Sequence, residues 1–209
     1  MSKSTHVEPG DDRGNHAEPG DDHGVHTEPG DDHGNHAEPG NDHGVHGDDH
    51  NNHLRGGRDD DMIHCGRGND AVAGELGDDR LFGEAGDDRL SGGRGHDVLN
   101  GGAGSDTFVF NAISDSTLNT SGRDHIEDFH HNQHDHIDLR GIDADTHHGG
   151  NQAFHFIGDD GFSHHAGEVR AVFSGANTTL SGDVNGDGRA DFAITLQGHI
   201  TFGSGDLLL

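Results

Sequence analysis

Residues 56–64 read GGRDDDMIH, 65–73 CGRGNDAVA, 74–82 GELGDDRLF, 83–91 GEAGDDRLS, 92–100 GGRGHDVLN and 101–109 GGAGSDTFV. These are six tandem nine-residue units of the form G-G-x-G-x-D-x-U-x, where U is a large apolar residue. Glycine lets the chain turn tightly at the start of each unit. The sixth-position aspartate points into the turn, and the U residue two positions later lies in a short strand facing inward. Two units make one coil, so each turn stacks on the turn 18 residues later. The U residues Ile63, Val72, Leu81, Leu90, Leu99 and Phe108 then form one narrow apolar core. The aspartates form two ladders, Asp61, Asp79 and Asp97 on one edge and Asp70, Asp88 and Asp106 on the other. The expected fold is all-β, with a parallel β-roll over 54–110.

Such a roll has an electrostatic problem. Stacked coils lie about 4.8 Å apart, and two carboxylates at that distance repel by about 3–4 kcal/mol at an effective dielectric of about 20. A cation between successive turns removes the repulsion. Oxygen ligands in a loose geometry, with carbonyls of the glycine-rich turns beside the carboxylates, favour Ca²⁺. Folding is expected to be coupled to several bound calcium ions. Extracellular calcium modules bind at about 10⁻⁴–10⁻³ M, so cytosolic calcium would leave these sites empty. The bland alternative is a solvated Gly/Asp linker. Six units in register, each with an apolar eighth residue, argue against it. The nonapeptide resembles the calcium-binding parallel β-roll repeat of RTX proteins.

The chain has 209 residues, a formal net charge of −28, 37 glycines and only 27% apolar residues. Without calcium, self-repulsion keeps such a chain expanded. The charge excludes nucleic acid and anionic membrane surfaces as partners. No apolar run is long enough to span a membrane. The N-terminal MSKSTHVEPGDD lacks the apolar segment of a Sec signal peptide. Cys65 is the single cysteine, so no intrachain disulfide forms.

Residues 1–53 carry a different repeat with period ten: HVEPGDDRGN (6–15), HAEPGDDHGV (16–25), HTEPGDDHGN (26–35) and HAEPGNDHGV (36–45). Gly14, Gly24, Gly34 and Gly44 stand where the U residue would be, so no core can be stacked. The expectation is a disordered His/Asp/Gly-rich tail with Pro-Gly turns. Its histidines are His6, His16, His23, His26, His33, His36, His43, His46, His50 and His53. Pairs such as His23/His26 could chelate Zn²⁺ or Ni²⁺; a duplicated, solvated tract is the alternative.

After Phe110 the nine-residue period stops and alternating patterns follow, as in Phe154/Phe156, Val169/Ala171/Phe173 and Phe192/Ile194/Leu196. Residues 111–209 read as an antiparallel β cap covering the end of the roll. The motifs GGAGSDTFVFNAISDST (101–117), RDHIEDF (123–129), HDHIDLRGIDAD (134–145), NQAFHFIG (151–158), AGEVRAVF (166–173) and GDVNGDGRADFAITL (182–196) resemble, in order, the C-terminal domain of serralysin-type secreted metalloproteases. The resemblance runs over 56–209. It implies a β-roll followed by antiparallel strands and a signal for a type I exporter. Asp206-Leu207-Leu208-Leu209 looks like the end of that signal.

The resemblance also implies ligands. The second and fourth carbonyls and the aspartate of one unit join the first and third carbonyls and the aspartate of the unit 18 residues on. Gly66, Gly68 and Asp70 would thus meet Gly83, Ala85 and Asp88. Gly57, Asp59 and Asp61 would meet Gly74, Leu76 and Asp79, with Asp59 in place of the inner glycine. Glu75, Gly77 and Asp79 would meet Gly92, Arg94 and Asp97, and Glu84, Gly86 and Asp88 would meet Gly101, Ala103 and Asp106. Gly93, Gly95 and Asp97 would be closed by Asp115 and Asp124.

Asp183-x-Asn185-x-Asp187-Gly188-x-x-Asp191 resembles the start of an EF-hand loop, but Ile194 replaces the closing glutamate, so it reads first as a turn between strands. The family's H-E-x-x-H zinc motif is absent, and His125-Ile-Glu127-Asp-Phe-His130 has the wrong spacing for it. No catalytic residues are expected. The expected protein is secreted, extracellular and non-enzymatic. Its rivals are a detached protease module and a His-rich metal scavenger, and Met1 with the C-terminal motif reads as a free-standing product.

Overall fold

The computed structural model describes residues 44–209. The expected tail and its histidines up to His43 lie outside the described residues. The described part is all-β apart from short 3₁₀ turns at Thr120–Gly122 and His131–Gln133.

Two sheets face each other. In the first, β1 (Val45–His46), β3 (Met62–His64), β5 (Arg80–Phe82), β7 (Val98–Asn100) and β9 (His125–Ile126) run parallel. It continues through β14 (Phe192–Gln197), β13 (Asn177–Asp183), β12 (Glu168–Ser174) and β11 (His155–Phe156). The second sheet holds β2 (His53–Gly57), β4 (Ala71–Leu76), β6 (Arg89–Arg94), β8 (Thr107–Val109), β10 (His136–Asp138) and β15 (Leu207–Leu208), all parallel.

Successive coils pair at an offset of 18 residues, as Ile63 with Leu81 and Val72 with Leu90. Each short strand buries its middle residue and leaves its flanks half-buried or exposed, the alternation a pleated strand imposes. The inward residues make two stacks. One runs Ile63, Leu81, Leu99, Ile126 and Leu196; the other runs Leu54, Val72, Leu90, Phe108 and Ile137. All ten are buried. Fully burying one such side chain contributes about 1.5–3 kcal/mol, so the stacks hold the coils together.

The parallel coil overruns both expected limits. At the start, GDDHNNHLR (47–55) is itself a degenerate unit, with Asn52 in the aspartate position and Leu54 in the U position. Val45 pairs with Ile63 and Leu54 with Val72, so residues 45–53, expected in a coreless tail, carry strands of the roll. At the other end, β9, β10 and β15 add parallel rungs beyond Phe110. The antiparallel character of the cap resides in β12, β13 and β14, while β11 pairs parallel with β12. Of the expected pairs, Phe192, Ile194 and Leu196 are buried, whereas Phe173 is exposed and stacks on His199 at 4.2 Å.

Close stacking dictates the inner glycine. Gly86 has φ 144°, and a Cβ there would lie 1.6 Å from Gly68 O. Glu75 and Glu84 take the second glycine position with φ 79° and 70°, a left-handed conformation unfavourable for a side chain. Each reaches one coil back, Glu75 to Arg55 at 2.6 Å and Glu84 to His64 Nδ1 at 2.9 Å.

Candidate metal centre

The sixth-position aspartates from Asp70 to Asp106 divide their oxygens between two tasks. Oδ1 accepts the backbone N–H of the residue one coil earlier. Asp79 accepts from Asp61 at 2.8 Å, Asp97 from Asp79 at 2.9 Å, Asp88 from Asp70 at 2.8 Å and Asp106 from Asp88 at 2.9 Å. These bonds lock coil to coil. In Asp70, Asp79, Asp88, Asp97, Asp106 and Asp124 the other oxygen, Oδ2, is buried and receives no hydrogen bond among the described residues. A buried polar atom without a partner forfeits its hydration without compensation, and a charged one does so at greater cost.

The surroundings of Oδ2 are oxygen-rich. Gly74 brings its bare Cα beside Asp79 Oδ2 and Gly92 O; a Cβ at Gly74 would lie 2.1 and 2.6 Å from them. At Gly83 the same construction meets Asp88 Oδ2 and Gly101 O, both at 2.5 Å. The first-position glycine therefore leaves open the space where a carboxylate oxygen and the next coil's first carbonyl converge. Among the described residues no three His, Cys, Asp or Glu side chains form a metal-holding group. An ion here would have two carboxylates at most and would take its remaining ligands from the backbone, which suits a hard cation with oxygen ligands.

Burial drives these carboxyls well above the ordinary range, assisted by the facing carboxylates and opposed by the Oδ1 hydrogen bonds. Asp79 and Asp88 are pushed up to about 7, Asp97 and Asp106 to about 6, and Asp124 to about 9. Asp70 and Asp135 are raised for the same first reason. The raised values describe a site that resists ionisation until a cation compensates it.

The expected ligand set is placed as follows. Asp61, Asp70, Asp79, Asp88, Asp97 and Asp106 are all buried on the two ladders. Asp59, in the inner-glycine position, keeps the backbone course, since its carbonyl faces Gly77 as Gly68 O faces Gly86. Asp124 joins the first ladder, accepting the Asp97 N–H at 3.1 Å. Its own N–H donates to Ser116 Oγ, which donates to Ala193 O and so ties the ladder's end to the cap. Asp115 spends Oδ2 on the N–H groups of Asn111 and Ala112, a loop-capping role beside the ladder.

Three features escaped the sequence reading. Asp135 closes the second ladder, accepting the Asp106 N–H at 3.1 Å and the His130 N–H at 2.6 Å. Asn52 opens that ladder by donating its N–H to Asp70 Oδ1 at 2.7 Å. Their signal was a bare D-x-U or N-x-U without the full set of glycines, as in Asp135-His136-Ile137 and Asn52-His53-Leu54. The third feature is an outer ladder at the fifth position. Asp60 accepts from Asp78 N, Asp78 from His96 N, Asn69 from Asp87 N and Asp87 from Ser105 N, at 2.7–3.0 Å.

The EF-hand-like loop joins β13 to β14. Asp183 Oδ1 accepts Gly186 N–H and Oδ2 accepts Gly188 N–H, while Asp191 accepts Val184 N–H and the Asn185 side chain. His125 lies in strand β9. Cys65 is fully buried, and burial pushes its thiol up, so it is unreactive. Of the tail histidines within the described residues, His46 stacks on His64 at 5.4 Å and His50 contacts Asp48 at 3.1 Å. Among the described residues no helix is long and apolar enough to cross a membrane.

Comparison with known proteins places these features. The family described as Peptidase M10 serralysin C terminal matches residues 51–209. No curated protein matches the chain. Among solved structures, it is similar to two subunits of the Azotobacter vinelandii mannuronan C5-epimerase. For the AlgE6R3 subunit the identity is 25% and the TM-score 0.44, covering 76% of this chain and 78% of that one. For the AlgE6R2 subunit they are 24% and 0.49, covering 79% and 92%.

Proposed function

Because this chain belongs to the Peptidase M10 serralysin C-terminal family, we propose that it is a calcium-binding β-roll protein that acts outside the cell and has no catalytic centre of its own. The observation that carries this reading is the row of buried Oδ2 atoms at Asp70, Asp79, Asp88, Asp97, Asp106 and Asp124 that receive no hydrogen bond among the described residues. Calcium between successive coils would be held by paired aspartates of one ladder, such as Asp70 with Asp88 or Asp79 with Asp97, and by carbonyls of the intervening turns. It would supply the positive charge that lets these carboxyls ionise inside the roll. The protein's own contribution is the 18-residue register, which brings aspartates of neighbouring coils together only when the apolar stacks are formed.

Such coupling suits a secreted protein. In the cytosol, with little calcium, the acidic chain stays unfolded and fits a type I exporter, for which the segment beginning at Asp206 serves as signal. Outside, at millimolar calcium, the roll forms. Circular dichroism of the full chain with a chelator and then with calcium tests the reading. A cooperative gain of β-structure at about 10⁻⁴–10⁻³ M calcium is expected; β-structure indifferent to chelator would overturn it. The family's description favours a second reading, the detached export and folding module of a metalloprotease. A split protease frame in the neighbouring DNA would decide for it.

A further inference from the structure

The outward face of the first sheet carries a hollow of about 220 Å³ that the calcium chemistry leaves unused. Val98 on β7, His125 on β9 and Thr195 on β14 form one row across it, since Val98 pairs with His125 and His125 with Thr195. Their neighbours Leu99, Ile126 and Leu196 face the core, so strand alternation turns these three outward. His96, Thr120 and Arg123 complete the wall.

The lining is unusual for this chain. Against a formal net charge of −28, every ionisable group lining the hollow is a guanidinium or an imidazole. Arg80 pairs with Val98 in the adjacent strand and adds a further cation alongside. The neighbouring carboxylates are Asp97 and Asp124, both buried beneath the sheet with Asp124 accepting the Asp97 N–H, Asp78, which accepts the His96 N–H at 2.8 Å, and Glu127, two residues beyond His125. Arg123 is positioned by its own loop: Nε donates to Thr117 O at 3.4 Å and Nη2 donates to Leu118 O. A guanidinium has five donors in a planar fork, so this anchoring leaves part of the fork for an oxygen ligand. Two hydroxyls flank it, and Val98 supplies an apolar floor. The volume lies below the about 300–1,000 Å³ of pockets for drug-sized ligands, which limits the occupant to a small one.

We propose that this hollow is an oxyanion-binding site, which takes a carboxylate or sulfate group on Arg123, His96 and His125 with the hydroxyls of Thr120 and Thr195. A carboxylated sugar and a free inorganic oxyanion present the same chemistry. The hollow borders the end of the first ladder, where Asp97 lies between His96 and Val98 and Asp124 between Arg123 and His125, but its lining side chains are not among the candidate calcium ligands.

The test is a titration of the full chain at neutral pH in excess calcium, followed by amide and imidazole NMR shifts. Sulfate is the inorganic probe and galacturonate the carboxylate probe. Expected are saturable shifts confined to residues 96–98, 120–125 and 195, with a Kd of about 1 mM for at least one probe. His125→Gln and Arg123→Lys should each weaken binding about tenfold or more, while the calcium-loaded dichroism spectrum stays unchanged. Because Arg123 also anchors its loop, His125→Gln is the deciding variant. Saturation by sulfate alone assigns an inorganic oxyanion; saturation by galacturonate assigns a carboxylate ligand. The proposal falls if neither probe saturates, if the shifts spread over the surface, or if His125→Gln binds as the unaltered chain does.

Discussion

Asp88 accepts the backbone N–H of Asp70 through Oδ1 at 2.8 Å while its buried Oδ2 receives no hydrogen bond among the described residues. One carboxylate thus serves as a coil-to-coil clamp and, on the proposed calcium reading, would also hold the metal ion. The two tasks can be separated by substitution.

Asp88→Asn keeps an oxygen for the Asp70 N–H but removes the charge. Hydrogen bonds to charged groups contribute about 1.5–3 kcal/mol, and loss of an ionic ligand is expected to be of similar size, about ten- to a hundredfold in calcium affinity. Calorimetry should show weakened sites on the Asp70–Asp88–Asp106 ladder and unchanged ones on the other. Without metal the same variant should be no less folded than the parent, because a facing charge is gone. Equal calcium binding by both proteins would count against the ladder.

Acid should act in opposite directions with and without calcium. The folded-state carboxyls of Asp79, Asp88, Asp97 and Asp106 sit at about 6–7, above an ordinary 3.8. The folded roll therefore binds more protons than the unfolded chain. Its stability is fullest below the unfolded value and is lost as pH rises through about 6–7. Metal-stripped protein should gain β-structure on acidification through this window. With calcium present, protons compete for the same oxygens, so the calcium midpoint should rise over the same range. Dichroism titrations at neutral and acidic pH measure both; a metal-free chain equally unfolded throughout would refute the first.

Gly86→Ala should be far worse than Gly57→Ala. Both positions have positive φ, but a Cβ at Gly86 meets Gly68 O at 1.6 Å, while at Gly57 nothing lies within 4 Å. The second change costs only backbone strain, about 1–2 kcal/mol. The first must also push two coils apart. Thermal melts in excess calcium should show a small loss for Gly57→Ala and failure of the cooperative transition for Gly86→Ala.

The outer ladder predicts a milder effect. Asp78→Ala removes the acceptor of the His96 N–H, and Asp78→Asn retains one. A net loss of about 0.5–1.5 kcal/mol is expected for alanine and less for asparagine, read as a shift of the calcium-loaded melting midpoint. Equal shifts would mean that charge, and not the hydrogen bond, matters there.

Legibility followed spacing. Leu81, Leu90 and their aspartates could be read because a fixed nine-residue period ties each residue to a neighbour 18 positions away. Asp124 and Asp135 accept N–H bonds from partners 27 and 29 residues earlier, so no period announced Asp135. Asn52 was hidden for another reason: an amide stands where a carboxylate was sought, within a stretch that lacks the leading glycine pair. The basic hollow was illegible altogether, since Val98, His125 and Thr195 come from strands that only the sheet makes adjacent.

The nine-residue repeat alone determined the parallel roll, its apolar stacks, its two aspartate ladders and the oxygen-rich chemistry they require, because local turns and strand alternation repeat without reference to the rest of the chain. Where the coil begins and ends, how β9, β10 and β15 extend it, and which oxygen of each carboxylate stays buried and unbonded were decided by the tertiary structure. Those outcomes depend on pairings between distant segments, whose register is set by which apolar faces meet once the chain has folded.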